Sequence, residues 1–236
     1  MEYLSKHRSI SVLFGTFFIL IIYGFFGSYF GQFPVFNLHI TTITHYHALT
    51  ITLWLMLCVA QPLLIRFKKH QWHILIGKFT YFYVPFMVVG MVLVTRQGYL
   101  NGAAGKSPDA GLLAFQFVPV SNTIMFITTY TLAILNRKNR LIHRSYMVVN
   151  MVLLVWTAFG RLNYSWLGIN GMVPSVAASA VSASLLLLGI IVADWWQGKT
   201  NRIYIRWFAI LVLVTLYYYF GTTGVVWQSI ARSIFE

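Results

Sequence analysis

Apolar residues run through this chain in long blocks separated by short polar stretches. A helix needs about 20 mostly apolar residues to cross a bilayer. Seven blocks meet that length: roughly 10–30, 45–65, 74–95, 112–135, 145–165, 174–193 and 204–228. The first is longer than the apolar stretch of a cleavable signal, about 7–15 residues, and no small-x-small site follows it, so it reads as a span. The pattern shows no internal repeat and no low-complexity tract. It predicts an all-α fold, a polytopic membrane helix bundle of seven transmembrane helices forming a single domain over residues 1–236. The connection 96–111, rich in Gly and Asn and containing Pro108, predicts a flexible loop.

Composition agrees with that pattern. Of 236 residues, 58% are hydrophobic and only 9% are charged, against about 25% charged in soluble domains. This excludes an ordinary soluble enzyme and a disordered chain. A single cysteine, Cys58, excludes a disulfide framework.

The charge balance, 17 Lys and Arg against 4 Asp and Glu, raises the question of a nucleic-acid partner. Its distribution answers it. Thirteen of the seventeen positive charges fall in alternate connections: Lys6 and Arg8; Arg66, Lys68, Lys69 and Lys78; Arg137, Lys138, Arg140 and Arg144; Lys199, Arg202 and Arg206. Only Arg96, Lys106, Arg161 and Arg232 break the alternation. By the positive-inside rule the N-terminus is cytoplasmic and the C-terminus outside. The expected partner is the lipid bilayer, with no nucleic acid, and the expected location is a bacterial cytoplasmic membrane, multi-pass.

Polar residues inside such segments are costly and collect on interior faces. In the fifth block His143, Tyr146, Asn150, Thr157, Arg161 and Tyr164 share one helical stripe, which crosses the whole span. In the second block His47, Thr50, Trp54, Cys58 and Gln61 share another. The fourth carries Ser121, Asn122 and Thr123. The sixth carries Ser179, Ser182 and Ser184, small residues suited to close helix packing. Interhelical hydrogen bonding accounts for such stripes without any ligand. A ligand site requires several stripes to converge.

Two chemistries suit the histidines. Haem b takes axial imidazoles from helices at equal depth, and His73 with His143, both at predicted inner ends, meet that condition. Asn150, Tyr146 and Arg161 would then contribute to the cofactor pocket. A Zn, Cu or Fe ion suits the outer cluster His39, His45 and His47. That requires an extended backbone there, because helical His45 and His47 diverge by about 200°. Thr44 offers an N-cap for the second helix, favouring a helix from His45 onward. Arg96 and Arg161, with Tyr164, could form a cationic pocket for an anion. No lysine lies in the seventh block, which excludes a retinal Schiff base there. No P-loop, GxSxG or CxxC occurs either.

The run His47-x-x-Thr50-x-Thr52-x-Trp54 leading to Gln61, then His73 with Gly77, then His143-Arg144 opening a span that ends in Arg161, resembles a bacterial family of multi-span integral membrane proteins of unknown function. The resemblance implies the same architecture and choice of residues, and no particular activity. The leading functional expectation is a membrane protein binding a redox cofactor, haem b, for electron transfer or as an oxidoreductase subunit. The alternatives are a non-redox carrier, receptor or assembly subunit with a small-molecule pocket, and an outer-face metal-dependent membrane enzyme. A membrane complex or a homo-oligomer fits either of the first two.

Overall fold

A computed structural model of the chain describes residues 2–36, 40–105, 109–169 and 172–236. Among these residues all regular structure is helical: α1 (Glu2–Gly24), a 3₁₀ turn (Phe30–Gln32), α2 (Thr42–Arg66), α3 (His70–Ala103), α4 (Ala110–Leu135), α5 (Arg140–Leu167), α6 (Met172–Trp196), α7 (Arg202–Phe220) and α8 (Val225–Phe235). Six of them, α2 to α7, contain segments long and apolar enough to cross a membrane. In α1 the apolar part is shorter, Ile10–Gly24.

Local chemistry sets the helix starts. The Asp109 carboxylate accepts from Leu112 N at 2.6 Å, Asn139 Oδ1 from Leu141 N and Ile142 N at 3.2 Å each, and Asn201 Oδ1 from Ile203 N at 3.1 Å. Each satisfies donors that a helix N-terminus leaves without intrahelical partners. Gly168, at φ 63°, ends α5 in the left-handed conformation that glycine adopts without strain. Pro62, Pro85 and Pro119 lie inside α2, α3 and α4, a frequent feature of spanning helices.

The chain divides into two compact bodies, Met1–Val94 and Thr95–Glu236, with the division falling inside α3. In the first body α1 packs on α2, burying Phe14, Phe17 and Ile21. The buried face of α2 is Thr50, Trp54, Leu55, Cys58 and Pro62, so the polar stripe expected on this helix is its packing face. Two tyrosines tie α3 to α2: Tyr46 Oη donates to Phe86 O at 2.5 Å, and Tyr83 Oη donates to Thr50 O.

In the second body α4, α5, α6 and α7 pack together, with α8 against α4. Here α5 is the central helix. Of its spanning window 61% is buried, against 22–39% in the other five spans. The outward faces are apolar, as lipid requires: Ile124 and Ile127 on α4, Val181 and Leu185 on α6, Leu213 and Phe220 on α7 are exposed.

Two sequence boundaries are corrected. The seventh block does not run to residue 228. Helix α7 stops at Phe220, Gly221–Gly224 turn the chain, and α8 is a separate helix. The loop expected at 96–111 is largely helix, because α3 continues to Ala103. Its last turns pack instead of fraying: Tyr99 is buried with Leu113, and Ala103 and Leu112 pack against that cluster. A Cβ on Gly102 would lie 2.7 Å from Leu112 Cδ1, so the glycine that looks like a loop signal permits helix contact.

Candidate functional site

The strongest polar organisation lies along the α4–α5 contact of the second body. Asn150, fully buried, donates from Nδ2 to Phe126 O at 3.1 Å and to Thr129 Oγ1 at 2.9 Å. Thr129 in turn donates to its own helix, to Met125 O and Phe126 O, so its oxygen is free to accept. One turn away, Asn122 of α4 donates from Nδ2 to Leu153 O of α5 at 3.2 Å. The two amides thus cross the same contact in opposite directions. Both Oδ1 atoms are buried without a hydrogen-bond partner among the described residues.

At the end of this contact the His143 ring meets α4. Its Nδ1 lies 2.8 Å from Ala133 O. A carbonyl can only accept, so His143 donates through Nδ1–H. In the neutral ring Nε2 then carries the lone pair. Ala133 O is one of the last carbonyls of α4, which have no intrahelical donor, and His143 satisfies it across the interface. Close by, Asn201 Nδ2 donates to Ser145 Oγ at 2.7 Å, joining the starts of α5 and α7.

Toward the other end of α5, Trp156 Nε1 donates to Ser179 Oγ at 3.2 Å, and Ser179 Oγ donates to Val176 O. Gly160 faces Ser179 across this contact: a Cβ there would sit 3.7 Å from Ser179 Cβ, at ordinary van der Waals distance. The expected close packing by span-six serines is realised at Ser179, which is buried. The crevice between Phe117, Ser121, Trp156, Ala180 and Tyr218 is too narrow for a water molecule.

The long stripe of the fifth block therefore divides. Asn150 is interior, and His143 and Tyr146 are half-buried, but Thr157, Arg161 and Tyr164 are exposed. Arg96, expected beside Arg161, is an exposed residue within α3. The proposed axial pair is carried one residue per body, with His73 half-buried in the first turn of α3 in the first body.

Two of the three outer histidines, His45 and His47, lie in α2. The N-cap of α2 is Thr41, whose Oγ1 accepts from Thr44 N at 3.3 Å, so Thr44 is not the cap and the helix begins three residues earlier than expected. His45 and His47 are both helical and point to divergent faces, for the reason given by the helical period. His39 lies outside the described residues. His45 is enclosed by aromatics: its Nδ1 lies 2.8 Å from Tyr29 Oη, and its ring sits edge-on to Phe36 at 4.7 Å between centroids. Burial raises the Tyr29 phenol above its ordinary value. Half-buried His47 shares the packed face of α2 with Thr50, Trp54 and Cys58. Among the described residues no three His, Cys, Asp or Glu side chains gather to hold a metal ion.

Sequence reasoning missed Tyr29 and the Asn201–Ser145 contact. No spacing rule links residues so far apart. Trp156 was also missed, although an indole N–H buried in mid-span usually finds an acceptor. No protein-family model, no curated protein and no solved structure matches the chain.

Proposed function

We propose that the chain is a seven-span protein of a bacterial cytoplasmic membrane, N-terminus inside, in which His143 would hold haem b. The observation that carries the ligand assignment is the bond from His143 Nδ1–H to Ala133 O. Imidazoles that ligate metals usually donate their other N–H to a carbonyl or carboxylate, which fixes the ring and raises the basicity of the ligating nitrogen. His143 is held in that manner, with Nε2 as the lone-pair nitrogen. Haem would supply one-electron transfer there. The part of the chain would be to fix the imidazole, through α4, and to exclude water, through the tight packing of α5. Asn150 supports this indirectly, because both its amide hydrogens hold α4 against α5.

The test is an absorbance spectrum of purified protein from cells given ample haem precursor, oxidised and then dithionite-reduced. A Soret band that shifts on reduction, and that His143→Ala abolishes, is the expected result. Folded wild-type protein without a Soret band overturns the reading.

That outcome would favour a second reading, a non-redox subunit of a membrane assembly. One observation supports it: in the second body Asn122, Asn150, Trp156 and Ser179 bond to helix partners and not to a ligand space.

A further inference from the structure

We propose that α8 is an interfacial helix that lies in the membrane surface and presents Val226, Ile230 and Ile234 to lipid. The inference is independent of the haem assignment. At 100° per residue these three side chains fall within an arc of about 80°, and all three are exposed. The next arc, Trp227, Ala231 and Phe235, is the one that packs. Trp227 and Ala231 are buried with Tyr99 and Leu113, with Phe235 against them. Trp227 Nε1 donates to Leu113 O at 2.8 Å, and its ring meets Phe117 edge-on at 5.0 Å. Gln228 Nε2 adds bonds to Ala110 O at 3.1 Å and Thr222 O at 2.8 Å. The remaining arc holds the polar and charged residues Ser229, Arg232, Ser233 and Glu236, with Val225 at the first position of the helix, all exposed.

The helix therefore has one face fixed on α4, one apolar edge uncovered and one polar face. Three observations select lipid for the apolar edge. First, α8 begins only four residues after Phe220, the exposed last residue of a helix long and apolar enough to span. The chain leaves α7 at the membrane boundary and has no length in which to move away from it. Second, the apolar edge continues the kind of surface that α7 already shows, where Leu213 and Leu216 are exposed. Third, three aliphatic side chains make a patch of at most a few hundred Å², well short of the roughly 800 Å² per partner of a stable protein interface. An amphipathic helix with aliphatic residues on one side and polar ones on the other is the form that lies at the headgroup boundary.

The test is site-directed spin labelling in bilayers of phosphatidylethanolamine and phosphatidylglycerol. Single cysteines at Val226, Ile230, Ile234, Ser229 and Arg232 are placed in a Cys58→Ala background. Collision rates with dissolved oxygen and with a water-soluble nickel chelate are compared. The expected oxygen-to-nickel ratio is several-fold higher at 226, 230 and 234 than at 229 and 232. Ratios equally low at all five positions would place the edge in water and overturn the proposal. Immobile labels at 226, 230 and 234 that neither reagent reaches would mean a protein covers the edge, and would overturn it too. A second measurement, Ile230→Asp, moves no core residue. It should leave the purified protein monodisperse while making labels at 226 and 234 several-fold more accessible to nickel.

Discussion

Asn150 is fully buried on α5, and what its amide bonds to decides what its replacement costs. Its stripe was legible from spacing alone, but the amide hydrogens close on Phe126 O and Thr129 Oγ1. Hydrogen bonds between membrane helices average about 0.6 kcal/mol and reach about 1.7. The buried, unpartnered Oδ1 costs about 1–3 kcal/mol in the opposite direction. The terms nearly cancel, so Asn150→Leu, which has the same number and branching of heavy atoms but bulkier methyl groups, should leave stability within about 2 kcal/mol of wild type. Asn150→Asp keeps the orphan oxygen, loses the donors and buries an acid, and should cost about 3 kcal/mol or more. Unfolding in graded detergent would measure both, and Leu proving the worse would refute the account. Tyr29 makes a prediction of opposite character. Its phenol is raised by burial from the ordinary value of 10.0. The folded protein therefore retains a proton that the unfolded chain releases. The contribution of Tyr29 to stability is complete below pH 10 and declines as pH rises toward the folded value. Melting temperatures from about pH 9 to 12 should fall less steeply in Tyr29→Phe than in wild type. His45 was legible as a chemically interesting residue, but its phenol partner was not, since sixteen residues of connection separate them and no periodicity spans a loop.

At the scale of elements, the placement of α2, α4, α5 and α6 follows directly from the apolar blocks, and the two misjudged boundaries are opposite errors. Glycine and asparagine predict a loop at 96–111, whereas the seventh block runs through Gly221 and Gly224 as if they were neutral; they break a helix only where nothing packs against it. At Gly98–Gly102 the neighbouring helices hold α3 together. At Gly221–Gly224 the chain does turn, and two glycines within four residues were the available signal. Gly90 in α3 makes the same point quantitatively. Replacing an interior helical glycine with alanine gains about 1 kcal/mol of helix propensity. Here a Cβ would lie 3.0 Å from Tyr46 Cε1 and 3.3 Å from its Cδ1. The ring cannot swing aside, because its hydroxyl is bonded to Phe86 O. Overpacking costs about 1–3 kcal/mol, so Gly90→Ala should be destabilising by about 1 kcal/mol net. Combined with Tyr46→Leu, the same change should become neutral or stabilising. A double-mutant cycle read by thermal unfolding would detect that coupling. Additive effects would show that the ring does not obstruct the position.

For the whole molecule, orientation rests on charge, and α1 decides the number of spans. The apolar part of α1, Ile10–Gly24, is about 22 Å long at 1.5 Å per residue, short of the roughly 30 Å hydrocarbon core. The full helix, Glu2–Gly24, is about 34 Å long, and its extra length carries Lys6 and Arg8. Two arrangements follow. If α1 crosses, there are seven spans, Lys6 and Arg8 join the other cytoplasmic clusters, and the positive charges divide thirteen to four. If α1 lies on the surface, six spans remain and those two residues move to the outer side, giving eleven to six. The positive-inside rule prefers the first, and long basic side chains at a helix end reach the headgroups readily. The positive-inside rule puts the C-terminus outside in either arrangement, so under the proposed orientation only the N-terminus distinguishes them. In a Cys58→Ala background, Ser5→Cys should resist a membrane-impermeant maleimide added outside intact cells and react once the membrane is opened. A C-terminal alkaline phosphatase fusion should be active in the same cells. Labelling of position 5 from outside would reduce the bundle to six spans. An inactive fusion would invert the whole orientation and put α8 on the cytoplasmic surface, where its apolar edge would meet the inner leaflet instead of the outer.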